Sequence, residues 1–238
     1  MSSPSDVTFP GGTLITRLRV YDTLAPDGQR GGTPHVHLLC TELYLTLQGT
    51  GQVELLDASG PNIVDLSPGS ALVFTPGTIH RLLNPNRDLD ILVIMANNGL
   101  PENGDNTPTF PEHVLSDADA FAQHMVADTL ADAYHRRDLA VEGYLALKAA
   151  FEHSHQAGQV ALTAFYEHAT RLMQPHLDAW RDVVTAGPLA VAQQSLAHLT
   201  ALQATQMDYL HQAQHATVAP DAIERIGFCG HLSPYPAP

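Results

Sequence analysis

The stretch GTPHVHLLCTELYLTLQGTG, residues 32–51, and the shorter PGTIHRLLN, residues 76–84, decide how this chain reads. In the first, His35, His37 and Glu42 fall within eight residues; in the second, His80 ends a strand-like run. On a strand, residues i and i+2 project to one side, so His35 and His37 share a face. Glu42 opens the next strand after a short turn and returns a carboxylate toward the same point. His80 arrives from a later strand. Three imidazole nitrogens and one carboxylate oxygen suit one divalent transition metal: Fe(II), Mn(II), Ni(II), Co(II) or Zn(II). An octahedral ion held by four protein ligands keeps two positions for substrate, water or dioxygen.

Outward from this stretch, residues 13–96 carry short apolar runs with turn signals between them. The runs are LITRLRVY, ELYLTLQ, QVELLD, NIVDL, ALVFT and LDILVIM; the breaks are GQRGG, QGTG, DASGPN, SPGS and NPNRD. That rhythm predicts an all-β sandwich or barrel. In ELYLTLQ, Glu42, Tyr44 and Thr46 share one face and Leu43, Leu45 and Leu47 the other. If Glu42 points inward, a leucine ladder points out, and such a patch in water is an aggregation hazard. The outer wall is therefore expected to be covered, by the rest of the chain or by a second barrel.

From Ser116 to about Ala216 the pattern becomes helical, rich in Ala, Leu, Gln, Asp and His. Ser116 is the expected N-cap of a first helix. A second helix is expected over 138–156, ended by Gly158. A third covers 159–184, kinked near Pro175, and a fourth covers 189–215 after the Gly187-Pro188 break. The intervening ANNGLPENGDNTPTFPEH reads as a linker. The expected division is a β-domain over residues 1–112 and a helical extension over 113–238. The tail GFCGHLSPYPAP reads as an extended arm.

The chain has 238 residues and 44% apolar content, with 25 acids against 11 bases for a formal charge of −14. Its single lysine is Lys148. With no basic stripe, nucleic acid and anionic membrane surfaces are not expected partners. The longest apolar run, residues 91–96, is far too short to span a bilayer. The N-terminal MSSPSDVTFPGG shows neither a charged n-region nor an apolar h-region, so no secretory signal is read and a cytoplasmic protein is expected. Two cysteines, Cys40 and Cys229, make no disulfide framework and read as reduced thiols.

The two quoted stretches resemble the paired motifs of the cupin superfamily. The first motif runs His35, His37, four residues, Glu42, six residues, Gly49. The second runs Gly69, five residues, Thr75-Pro76-Gly77, two residues, His80, three residues, Asn84. Thr75 stands where the motif has proline, and the leading glycine falls on Gln29, between Gly28 and Gly31. The resemblance covers roughly residues 13–97. It implies a double-stranded β-helix barrel, followed here by an α-helical region for an α+β chain, with His35, His37, Glu42 and His80 as metal ligands.

Other residues are weaker candidates. Arg17 and Arg19 share a strand face with Tyr21 and could clamp a substrate carboxylate or phosphate. Tyr44 and Thr46 follow Glu42 on its face and could line a pocket, Tyr44 also as a catalytic group. Cys229 and His231 could reach the barrel mouth as a lid. Glu152-His153-Ser154-His155 lacks the partners a di-iron bundle needs and reads as surface, as do His211 and His215.

Metal-binding cupins include dioxygenases, sugar isomerases and epimerases, lyases and decarboxylases. The expected function is an enzyme acting on a small polar metabolite. An isomerase or lyase needs a proton acceptor beside the metal. The inward positions legible here offer no acid or histidine beyond the ligands, and that favours Fe(II) dioxygenase chemistry. A non-catalytic cupin binding a carbohydrate-like small molecule and a helical adaptor with a vestigial barrel are the alternatives. A DNA-reading regulator is not expected, since residues beyond 115 carry only Lys148 and five arginines. A homodimer is the expected assembly.

Overall fold

The computed structural model describes residues 8–97 and 99–236. The reading of the extreme N-terminus falls largely on residues 1–7, outside that set. Eleven strands form two antiparallel sheets. One contains β1 (Leu14–Val20), β3 (Glu42–Gln48), β6 (Ala71–Phe74), β8 (Asp90–Met95), β10 (Arg225–Ile226) and β11 (Gly230–Pro234), in the order β10-β11-β1-β8-β3-β6. The other contains β2 (His35–Val36), β4 (Gly51–Asp57), β5 (Gly60–Leu66), β7 (Ile79–Leu83) and β9 (Thr107–Pro108), in the order β5-β4-β7-β2-β9. The first eight strands interleave as 1-8-3-6 and 5-4-7-2, the order produced when a long hairpin folds into a double-stranded β-helix. The two ladders face each other without closing into one hydrogen-bonded cylinder.

Alternation along each strand decides what lies between the sheets. Thr16, Leu18 and Val20 of β1 are buried, whereas Arg17 and Arg19 are exposed. Leu18, Tyr44, Val53, Leu82, Ile91 and Val93 form much of this inner core. Turn glycines allow the reversals. Gly49 has φ 76°, and a Cβ there would overlap the Asp88 backbone. Only glycine takes this conformation and this close approach at no cost. Asn84, the last motif residue, is buried; its amide donates to Val20 O at 3.0 Å and its oxygen accepts from Leu89 N at 3.1 Å. It braces the 84–89 turn against the end of β1.

The helical region consists of α1 (Glu112–Leu115), α2 (Ala118–Met125), α3 (Leu130–His153), α4 (His155–Met173), α5 (Leu177–Val184) and α6 (Ala190–Gln203). It roofs the outer face of the five-stranded sheet. Val36, Leu56 and Ile79 from that face share one core with Tyr144, Phe151, Leu162 and Phe165. Fully burying side chains of this size contributes about 1.5–3 kcal/mol each. Polar ties reinforce the seam. Arg81, fully buried, meets Asp27 at 2.6 Å and Glu54 at 3.2 Å, and Lys148 of α3 meets Glu54 at 2.8 Å. The leucine ladder lies on the other sheet: Leu43 and Leu45 are half-buried, and Leu47 is 45% exposed. Among the described residues no helix is long and apolar enough to cross a membrane.

Helix boundaries differ from the sequence expectation in physical detail. The N-cap of α2 is Asp117, whose carboxylate accepts from Asp119 N and Ala120 N; Ser116 instead ends α1. Thr129 and Asp132 form a capping box that starts α3 well before residue 138. The break falls at Ser154, which caps α4, and Gly158 lies inside α4. A Cβ on Gly158 would overlap the Phe151 ring, so this glycine serves the close α3–α4 packing. Pro175 does mark a bend, in the 3-10 turn between α4 and α5. Gly187-Pro188 sits in a π-helical turn that carries the chain on into α6, and α6 ends at Gln203, well short of residue 215. Glu152, His153, His155, His211 and His215 are all exposed. The tail is indeed an extended arm: β11 pairs with β1 along its length.

Candidate metal centre and cavity

His35 and His80 are directly opposed across the β2–β7 ladder, with ring centroids 4.2 Å apart. His37 follows just past β2, and Glu42 enters from the facing sheet. All four are buried. Donor atoms of His35, His37 and His80 lie within 4.8 Å of one another, an arrangement that can hold a metal ion. Glu42 Oε2 lies 3.1 Å from His37 Nε2 and 3.3 Å from His80 Nε2.

The outer nitrogens fix the tautomers. His35 Nδ1 donates to Thr33 O at 2.9 Å, His80 Nδ1 donates to Thr78 O at 3.1 Å, and His37 Nδ1 donates to Asp105 O. A carbonyl can only accept, so each Nδ1 carries a proton and each Nε2 faces inward. The 3.1 Å approach of His80 Nε2 to His35 Nε2 brings two of these inward nitrogens together. His37 Nε2 and Glu42 Oε2 are close but out of hydrogen-bonding alignment, and both are buried with no hydrogen-bond partner. Three inward nitrogens and a buried carboxylate call for positive charge among them, which a bound metal ion would supply and a proton on His37 would supply otherwise. The donor set fits a divalent transition metal.

Electrostatics mark the same need for positive charge at this point. Burial and the neighbouring His80 and His37 push His35 well below its ordinary value. Burial also opposes charge on His37, but Glu42 and Asp105 outweigh it and raise that group to about 8. Burial works against the Glu42 carboxylate, yet His37 and His80 overcome it and hold it well below the usual range.

Beside the histidines lies a cavity of about 210 Å³. Leu18, Val93 and Met95 form its sheet wall, and Ile226, Phe228 and Leu232 of the tail form another. Polar groups reaching it are His35, Glu42, Tyr44, Thr16, Glu102 and Asn106. Tyr44 is buried beside Glu42 and Cys229, and burial, reinforced by Glu42, pushes its hydroxyl well above the ordinary value. Cys229 Sγ lies 4.0 Å from His35 Nδ1, and Phe228 packs on the His35 ring with centroids 5.2 Å apart. Desolvation raises both cysteine thiols, so neither is a ready nucleophile.

Not every expected residue reaches this place. Arg17 and Arg19 lie on the outward phase of β1 and pair with Asp90 and Glu224, at side-chain exposures of 46% and 54%. The inward phase belongs to Thr16 and Leu18, so the arginine clamp is not built there. Thr46 faces inward but bonds Ser70 at 3.1 Å, away from the histidines. His231 sits opposite Arg19 on the outer face. Of the proposed lid, Cys229 reaches the cavity and His231 does not.

The presumed linker supplies what the sequence reading missed. Residues 99–106 fold into a tight turn beside the histidines. The Asp105 carboxylate accepts from Leu38 N at 2.6 Å, Leu39 N at 3.1 Å and Cys40 N at 2.8 Å. It thereby fixes the turn between His37 and Glu42. Trp180 Nε1 of α5 donates to Asn103 O at 2.8 Å and holds the turn from behind. Glu102 and Asn106 face the cavity. The premise that no spare acid stands near the ligands therefore fails.

Strand order and both motifs, seated on facing strands with their candidate ligands converging, give this chain a cupin-like double-stranded β-helix fold. No protein-family model matches it, and no curated protein does. Among solved structures, KdgF from Halomonas sp. is similar at 28% identity over 28% of this chain and 57% of its own, with a TM-score of 0.25. An oxalate decarboxylase from Bacillus subtilis is similar at 17% identity over 48% of this chain and 28% of its own, with a TM-score of 0.35. A protein with a double-stranded beta-helix domain from Klebsiella pneumoniae is similar at 14% identity over 40% of this chain and 81% of its own, with a TM-score of 0.30. The chain spans little more than half the length of the first structures it matches.

Proposed function

We propose that His35, His37, Glu42 and His80 hold one divalent metal, and that the protein is an enzyme acting on a small uncharged carbonyl metabolite. The observation that carries this is the triple Nδ1–carbonyl locking, which directs three Nε2 atoms inward beside the buried Glu42 carboxylate. When bound, the metal supplies a Lewis acid that polarises a carbonyl oxygen. The chain's own residues do the rest. Tyr44 and Asn106 offer hydrogen bonds that orient the substrate. Leu18, Val93, Met95 and Phe228 exclude water. No lysine or arginine lines the cavity among the described residues, which supports an uncharged substrate over a phosphate or free acid.

Non-redox chemistry is favoured over the dioxygenase reading because an acid now stands in the cavity. Elemental analysis of anaerobically purified, untagged protein tests the metal. An oxygen electrode then separates the chemistries: this reading expects no oxygen uptake with hydroxyacetone or acetoin, and stoichiometric uptake would restore the oxygenase. Protein that takes up no divalent metal in calorimetry would remove both.

The assembly we propose is a homodimer through the six-stranded sheet. Ile15, Ile94, Leu43 and Val73 form one row across four strands, and Leu92, Leu45 and Ala71 form the next. None of these belongs to either hydrophobic core. A second copy offers the same flat apolar surface about a two-fold axis. Light scattering is expected to give twice the chain mass, and Leu45→Glu is expected to return it to one. A monomeric wild type would remove the dimer.

A further inference from the structure

We propose that Glu102 is the general base and general acid of this site, moving a proton between adjacent carbons of an α-hydroxy ketone or aldehyde that carries a short alkyl group. This rests on the metal-enzyme reading above and adds the group that the reading requires.

Glu102 lines the same cavity as His35, Glu42 and Tyr44. It sits at the start of the 3-10 turn Pro101–Asn103, which Gly104 ends in the left-handed region at φ 97°. That turn is pinned from both sides. Asn103 O accepts from Trp180, and the neighbouring Asp105 carboxylate is locked into three backbone N–H groups. The held turn thus fixes where the Glu102 side chain enters the cavity, as proton transfer demands. It forms no ion pair among the described residues, whereas the other pocket carboxylate, Glu42, faces two histidines.

The charged and titratable groups that face Glu102 are Glu42, His37, Arg225 and Cys40. Desolvation is the largest influence and raises the Glu102 carboxyl, a rise that the residue's exposure to solvent moderates. Glu42 adds to the rise, and His37 and Arg225 oppose it. A carboxyl raised toward neutrality is a better acid–base catalyst than an ordinary one. Tyr44 and Cys229, with their protons held by burial, do not compete for the role.

The step balances without any co-reactant. The Glu102 carboxylate takes the proton from the carbon beside the carbonyl, so an O–H bond forms as the C–H bond breaks. The C–H electron pair becomes a C=C bond, and the carbonyl π pair moves to the oxygen. Return of the proton to the neighbouring carbon, with the hydroxyl proton shifting to the other oxygen, completes an isomerisation. Return to the same carbon from either face gives exchange or epimerisation. The apolar wall of Leu18, Val93, Met95, Ile226 and Leu232 accepts the alkyl group.

Proton NMR in D2O tests this with hydroxyacetone, acetoin and dihydroxyacetone as probes and the metal-loaded full chain as catalyst. Wild type is expected to wash deuterium into the α-carbon of at least one probe well above the protein-free rate. Glu102→Gln is expected to lower that rate about 100-fold or more, with metal content and circular dichroism unchanged. Glu102→Asp is expected to keep part of it. Exchange by Glu102→Gln at the wild-type rate would overturn the role of Glu102 and leave the metal reading standing. A metal-loaded wild type that exchanges no probe would overturn it equally. A wild type without metal would instead remove the reading beneath it.

Discussion

On the five-stranded sheet, Leu56 and Ile79 face outward into the helical roof, and Arg81, Asp27, Glu54 and Lys148 tie that sheet to α3. On the six-stranded sheet the outward rows of Ile15, Leu43, Leu45, Leu92 and Ile94 stand outside both cores. The candidate centre draws on both. His35 and His80 come from the roofed sheet, Glu42 and Tyr44 from the unroofed one. The roof thus stiffens the histidine wall directly. The opposite wall depends on what the tail and, in the proposed dimer, a second copy place against it. Rigid and less supported walls meeting at one site are a common division between ligand-holding and substrate-fitting surfaces.

Three substitutions probe this contrast, in falling order of effect. His80→Ala removes an inward donor and leaves three. Its binding of Co(II) should weaken at least about 100-fold, beyond the range seen when only an outer partner of a ligand is lost. Calorimetry measures this, and near-wild-type affinity would mean that the four donors do not act together. Arg81→Ala strikes the seam under the roof. It takes the half-buried Asp27 carboxylate's partner away, leaves the buried Glu54 with Lys148 alone, and should cost about 3–5 kcal/mol in urea unfolding. A loss below about 1 kcal/mol would show that the roof is held by apolar contact alone. Arg17→Ala, the corresponding change on the unroofed sheet, breaks a half-exposed pair with Asp90. It should cost only about 0.2–1 kcal/mol, and a larger loss would erase the difference between the sheets.

The centre was legible in the sequence because its ligands are local. Alternation puts His35 and His37 on one side, and Glu42 opens the next strand five residues on, in the facing sheet. The same alternation, carried along LITRLRVY, sets Leu14, Thr16, Leu18 and Val20 against Arg17 and Arg19, and a buried Leu18 already argues that the arginines face out. Helix content was legible and helix ends were not. Gly158 read as a breaker because propensity sees the missing side chain, whereas Phe151 packing supplies the reason for it. The 99–106 turn was opaque for a different reason. PENGD has the composition of any solvent-exposed loop, and only the contacts of Trp180 and Asp105 make it part of the site. Those contacts join residues about 65 to 80 positions apart, beyond the reach of any local pattern.

The pairing of β11 with β1 also sets the order in which this molecule can be completed. Arg19 and His231 are ladder partners 212 residues apart. During synthesis the barrel strands through β8 emerge long before Gly230. At ~5–20 residues per second, the outer edge of β1 waits on the order of ten seconds for its partner. An unpaired edge beside an apolar sheet invites wrong pairing. The cavity also lacks its Phe228 wall throughout that interval. Nascent chains therefore carry an incomplete cavity and an adhesive edge until the tail arrives, and chaperone demand should concentrate in that window.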